Sequence, residues 1–166
     1  MLIARAVLIF CIAYNSACWG ADQLTLTPPD FLIGPSIART ADGTTYSYRA
    51  RDLKVKVNLQ ITIVNIPESL TTPTAKTCAA AFLHELKKRG ELFVADNVRA
   101  LTVGALSLDS WRWSQTTTPT GGLTGVIGCV PYQQKFIAVT FEDSLTSASE
   151  TFPLIRASLS ALQLPL

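Results

Sequence analysis

The chain has 166 residues, 48% of them apolar and 16% charged, with a formal net charge of +2. That is enough chain to bury a core and too apolar a composition for a disordered segment. Lys87-Lys88-Arg89 is the one run of adjacent basic residues, which sets nucleic acid aside as the expected partner.

Met1 to Ala21 reads as a cleavable export signal. Arg5 supplies the positive start, Ala6 to Ala13 an apolar stretch of eight residues, and Ser16, Ala17, Cys18, Gly20 and Ala21 the small residues near the cut. The apolar stretch is well short of the roughly 20 residues that a bilayer crossing takes. An uncleaved N-terminal anchor is the alternative. Asn15-Ser16-Ala17-Cys18 is similar to the box before a lipidated cysteine in bacterial lipoproteins, with Asn15 where that box has Leu or another apolar residue. Cys18 is therefore a candidate lipidation site, and cleavage after Gly20 or Ala21 competes with it. Residues 22–166 are then expected as a single α+β domain, of roughly 145 residues and net charge about +1. It would be periplasmic, secreted, or lipid-anchored at the bacterial envelope.

Pro28-Pro29 separates two short extended pieces, Leu24 to Thr27 and Asp30 to Ile33. Ala41 to Thr44 is a turn, and Tyr46 to Arg49 leads out of it as a strand. From Leu53 to Ile63, Leu, Val and Ile alternate with Lys54, Lys56, Asn58, Gln60 and Thr62. This predicts one long strand with a buried face and a polar face, ended by Pro67. Lys54 and Lys56 on the polar face are either solvated or a docking strip for an acidic partner.

Thr72 as N-cap and Pro73 at the first position predict a helix to Arg89, with Gly90 at its C-terminus. Cys78, Phe82 and Leu86 mark its apolar side. Val98 to Leu106, Trp111 to Thr117, Leu123 to Val130 and Phe136 to Phe141 read as strands of an antiparallel meander. A last helix is expected over Ser147 to Leu162. It starts either at a Ser147–Glu150 capping box or just before Pro153.

Beyond Cys11 and Cys18, two cysteines remain, Cys78 and Cys129. In an oxidising compartment an even pair points to a disulfide. Closing a loop of about 50 residues would contribute roughly 4 kcal/mol. Two buried free thiols are the alternative. No metal is expected, because His84 is not at ligand spacing from either cysteine, and no cofactor is implied.

The order Gly104-Ala105-Leu106, Ser110-Trp111-Arg112-Trp113, Gly128-Cys129-Val130-Pro131-Tyr132, Phe136 to Phe141 and a helix with Ile155, Ser158 and Leu159 resembles the PsbP-like superfamily. Bacterial envelope lipoproteins of the DcrB type are similar too. The resemblance implies a central antiparallel sheet with two main helices packed on it, an α+β sandwich. It implies no shared catalytic set, so no functional residue carries over.

His84, next to Glu85 on the first helix, is expected at the surface, and no Gly-x-Ser-x-Gly elbow accompanies it. Asp109 and the pair Glu142-Asp143 are candidate general acid–base carboxylates, with a turn before the last helix as the simpler reading of the pair. Gly121-Gly122 lacks the Lys that a phosphate loop needs. Trp111 and Trp113 share one strand face and either pack the core or form a binding surface. The expected function is a non-catalytic envelope protein that binds a macromolecular, protein partner, in toxin neutralisation or envelope assembly. The alternative is a carrier or sensor of a small apolar or sugar ligand. A pocket of roughly a few hundred Å3 beside the two tryptophans would favour that alternative.

Overall fold

The computed structural model describes residues 24–88, 92–116 and 121–164, with backbone alone at 92–99 and 116. The predicted export segment with Cys18, and the predicted helix end at Arg89 and Gly90, lie outside the described residues.

Among these residues the order is β1 (Leu32–Arg39), β2 (Gly43–Ala50), β3 (Asn58–Asn65), α1 (Ala75–Lys87), β4 (Leu92–Val103), β5 (Leu106–Thr116), β6 (Gly122–Tyr132), β7 (Lys135–Ser144) and α2 (Ala148–Ser160). The strands form one antiparallel sheet in the order β1-β2-β3-β7-β6-β5-β4. The fold is thus α+β, with a central antiparallel sheet and a helix on each face.

Alternation along the strands divides the core in two. On one side Tyr46, Tyr48, Leu59, Ile61, Ile63, Val139 and Phe141 pack with Phe152, Ile155 and Leu159 of α2. There the Phe141 and Phe152 rings meet edge to face at 4.9 Å. On the other side Trp113, Ile127, Cys129, Phe136 and Ala138 pack with Ala75, Cys78, Ala79 and Leu86 of α1. α1 lies mainly over β6 and reaches β5 and β7. Each helix therefore buries one apolar stripe against one sheet face, as amphipathic helices do.

The predicted eleven-residue strand is shorter in the structure. β3 begins at Asn58, and Arg51 to Val57 form the loop of the β2–β3 hairpin. Ala50 N–H donates to Val57 O at 3.0 Å and closes the loop. Inside it, Val55 N–H donates to Asp52 O at 3.0 Å, and Lys54 N–H donates to Asp52 Oδ1 at 2.9 Å. Beyond Ala50 the first strand of the hairpin has no ladder to offer. Arg51 N–H is held by Phe31 O and its Nε by Asp30 O. Val57, Leu59, Ile61 and Ile63 keep the alternation and are buried, whereas Leu53 and Val55 project from the loop.

α1 starts at Ala75, later than the Thr72-Pro73 reading. Thr74 is the N-cap, and it forms a capping box with Thr77. Its hydroxyl accepts from Thr77 N–H at 3.1 Å. Thr74 N–H in turn donates to Thr77 Oγ1 at 3.0 Å, and this reciprocal pair sets the cap at Thr74 in place of Thr72. The predicted strand Val98 to Leu106 spans the end of β4, a turn and the start of β5. Val103 pairs with Leu106, and Gly104 takes φ +56 between them. β1, which was read as a short extended arm, runs on through Gly34 and Pro35 to Arg39 along the sheet edge. α2 begins at Ala148 and contains Pro153, without a side-chain cap from Ser147. The Ser147 hydroxyl instead meets Ser144 Oγ at 2.8 Å.

The segment before β1 crosses the α2 face, with Leu24 in the core and Leu26 and Phe31 against it. Thr25 and Gln163 exchange two backbone hydrogen bonds of 3.0 Å. That bridge sits beside Gly104, whose N–H donates to Leu159 O. It is therefore at the β4–β5 turn, the end of the sheet opposite the β2–β3 loop.

Candidate functional site

α1 leaves the strands β1, β2 and β3 uncovered on its side of the sheet. Register fixes what they present. Ser36 faces Ser47, Ser47 faces Gln60 and Gln60 faces Thr140. The next row is Ala38, Thr45, Thr62 and Ala138, in which the Thr45 and Thr62 hydroxyls hydrogen-bond at 3.2 Å. Arg49, Asn58 and Glu142 make the third row. These are small polar side chains with one cation, and Ser36, Ala38, Arg49 and Gln60 are exposed. The result is an open polar shelf beside α1.

At the inner margin of the shelf a cleft of about 140 Å3 opens between α1 and the sheet, lined by Asn58, Gln60, Phe82, Glu85, Trp113 and Glu142 among others. Asn58 Nδ2 donates to Glu142 Oε1 at 2.7 Å, and Lys88 Nζ pairs with Glu85 Oε1 at 2.6 Å. Two wider open grooves, of about 420 and 400 Å3, flank the end of α2, where Gly104, Leu162, Leu164, Arg156 and Ser160 are among the lining residues.

Trp113 is buried under α1, and Trp111 packs against the same cluster half-buried. The indole of Trp113 lies over Gly125, where a Cβ would stand 2.5 Å from two ring carbons. Of the two readings of this pair, the geometry fits packing, with one edge of Trp113 reaching the cleft. Lys54 and Lys56 are exposed in the hairpin loop and not on the polar face with Asn58 and Gln60. The shelf's own residues, Thr45 and Ser47, carried no sequence signal, because short hydroxyl side chains on a strand announce nothing by themselves.

Of the catalytic candidates, Glu142 and Asp143 hold structural positions. His84 is exposed on α1 and Glu142 is bonded to Asn58. Asp143 is buried and accepts from the Thr151 hydroxyl at 2.8 Å and from Ser144 N–H at 2.7 Å. It ties the end of β7 to the first turns of α2. Asp109 is exposed on β5.

Cys78 of α1 and Cys129 of β6 are both buried and meet side by side as free thiols, in place of the expected disulfide. The hydrogen bond with Cys78 and then burial push the Cys129 thiol well above its ordinary range. Among the described residues, no group of three or more His, Cys, Asp or Glu side chains is placed to hold a metal ion. No described helix is long and apolar enough to cross a membrane.

No family model matches the sequence, and no curated protein matches it. Solved structures similar to the chain include those of two proteins. One is the solution structure of cyanobacterial PsbP from Synechocystis, 14% identical, with TM-score 0.48 over 90% of this chain and 98% of that one. The other is the crystal structure of LpqN of Mycobacterium tuberculosis, a protein involved in cell envelope biogenesis, 10% identical, with TM-score 0.46 over 84% of this chain and 82% of that one.

Proposed function

We propose that this is an exported, non-catalytic domain that binds a folded protein partner through the β1–β3 shelf beside α1. The observation that carries the reading is the contrast between that open shelf and the cleft next to it. A pocket that engulfs a small ligand spans about 300–1,000 Å3, and the cleft beside Trp113 has about 140 Å3. A carrier that engulfs an apolar ligand or sugar beside Trp113 is therefore the weaker reading, and the grooves of about 420 and 400 Å3 at the end of α2 are open to solvent. Short side chains such as Thr45 and Ser47 cost little entropy to immobilise, and with Gln60 they offer hydrogen bonds, which suits a polar protein interface. Phe82 and the edge of Trp113 at the inner margin would supply its apolar centre. Toxin neutralisation and envelope assembly are the finer versions of this role, and the partner's identity separates them.

The test is capture from envelope extract with the exported protein, native and as the Ser47→Arg, Gln60→Arg double variant. Gln60 is exposed and Ser47 half-buried on the uncovered face, so the variant is expected to fold. The native protein should retain one partner in stoichiometric amount, and the variant should lose it at least tenfold, about 1.4 kcal/mol. A partner profile that is the same for both proteins sinks the shelf as the binding surface.

A further inference from the structure

Among the described residues, five large apolar side chains are exposed: Ile37, Leu53, Val55, Leu145 and Leu154. Two of them lie in the β2–β3 loop, with Leu53 80% and Val55 40% exposed. Around them Arg49, Arg51, Lys54 and Lys56 are all exposed. The loop is therefore a projecting turn in which aliphatic and cationic side chains alternate. Its one carboxylate, Asp52, is engaged by the Lys54 N–H within the turn.

The same end of the sheet carries more of this chemistry. Asn58 pairs with Glu142, so the loop lies beside the end of β7 and the following Leu145, which is 51% exposed. Gln115 Nε2 donates to Leu86 O at 3.3 Å. That bond places the last turn of α1, with exposed Lys87 and Lys88, at this end too. Glu85 is paired with Lys88, Glu142 accepts from Asn58 and Asp143 is buried under α2. Asp30 and Glu150 are the exposed carboxylates that remain nearby.

We infer that the β2–β3 loop docks this domain on an anionic phospholipid surface. A protein hot spot is a packed patch that closes over a pocket. Leu53 is instead a single side chain at the tip of a turn, with cations on both sides. That form suits the boundary between headgroups and acyl chains. Leu53 and Val55 enter the apolar side, and the stems of Lys54 and Lys56 let their ammonium groups stay at the phosphates. Each such cation adds attraction to an anionic leaflet. Apart from Arg49, which borders both surfaces, the shelf lies on the α1 side of the same strands and away from the loop tip, so this inference does not depend on the function proposed above.

The test compares the exported full-length protein with itself on two kinds of vesicle, pure phosphatidylcholine and an equal mixture of phosphatidylcholine with phosphatidylglycerol. Attachment through the N-terminal segment would act on both alike, so the readout is the ratio of the two affinities. Native protein should prefer the mixed vesicles by about tenfold or more at low salt, and the preference should shrink at high salt. Lys54→Glu with Lys56→Glu should bring the ratio close to unity. Leu53→Ser should weaken binding to mixed vesicles while circular dichroism stays unchanged. A ratio near unity for native protein, or an unchanged ratio in the double lysine variant, overturns the inference. Vesicle binding unaffected by all three substitutions, together with loss of a captured protein, would reassign the loop to an acidic protein partner.

Discussion

Cys129 holds its proton more tightly than a free thiol, because its S–H hydrogen-bonds to Cys78 and the α1 face excludes water. In the unfolded chain the same thiol ionises from about pH 8.5 upward. The stability this pair contributes is therefore complete below about pH 8.5 and is lost as pH rises above it, since only the unfolded state releases the proton. Urea midpoints should fall between about pH 8 and pH 10, and the fall should be shallower in Cys129→Ala. An equal slope in both proteins would show that another group sets it. Oxidised glutathione offers a second test. The two thiols give two protons and two electrons to one glutathione disulfide, which leaves as two reduced molecules, and a Cys78–Cys129 bond forms. Denatured, oxidised protein should then resist thiol labelling at both positions, and the bridge should add roughly 4 kcal/mol. Labelling at both would refute it. At this scale the sequence named Cys78 and Cys129 together, but as a disulfide, and the structure has them as free thiols. The role of Trp113 was not legible. It depends on Gly125 lying across the ladder, and nothing in the spacing of a tryptophan names the glycine beneath it.

Among the elements, α2 carries an internal conflict. Pro153 lies in its second turn, exposed, and has no N–H to give to the preceding turn. The helix forms anyway because Phe152, Ile155 and Leu159 are buried on the sheet, and that burial outweighs the missing bond. Pro153→Ala should therefore raise stability, by about 1–3 kcal/mol, read as a higher urea midpoint. A lower midpoint would mean that the rigid ring is itself part of the packing. The meander β5–β7 was readable from turn residues and alternation. β1 was not, because after Ile33 it passes through Gly34 and Pro35, which break its ladder, to Ser36, Ile37, Ala38 and Arg39, all exposed at the sheet edge, where burial writes no pattern. β4 and β5 fused into one reading because Gly104-Ala105 stands between two apolar residues. The hairpin loop was lost for the opposite reason. Leu53 and Val55 continue the alternation of β3 in sequence while pointing away from it in space, so a binding feature was read as part of a strand.

The whole molecule is two blocks joined through the β3–β7 ladder, which runs from Asn58↔Glu142 to Asn65↔Lys135. Alternation told which face each strand buries, but no local signal named β7 as the neighbour of β3 across so much intervening chain. α1 carries the chain from β3 at mid-sheet to β4 at the far edge, and this crossover leaves one half of the sheet bare on the α1 side. The shelf is thus a product of topology, and it could not be read from any single segment. Topology also sets where the ends go. Thr25 and Gln163 are hydrogen-bonded neighbours at the pole away from Leu53. A short glycine-rich splice between them, with new termini opened at the exposed Gln133-Gln134 turn, should give a circular permutant that keeps every ladder and melts as one unit. A fluorescent cargo joined directly before Thr25 or after Gln163 would likewise ride at that pole and leave the basic loop unobstructed.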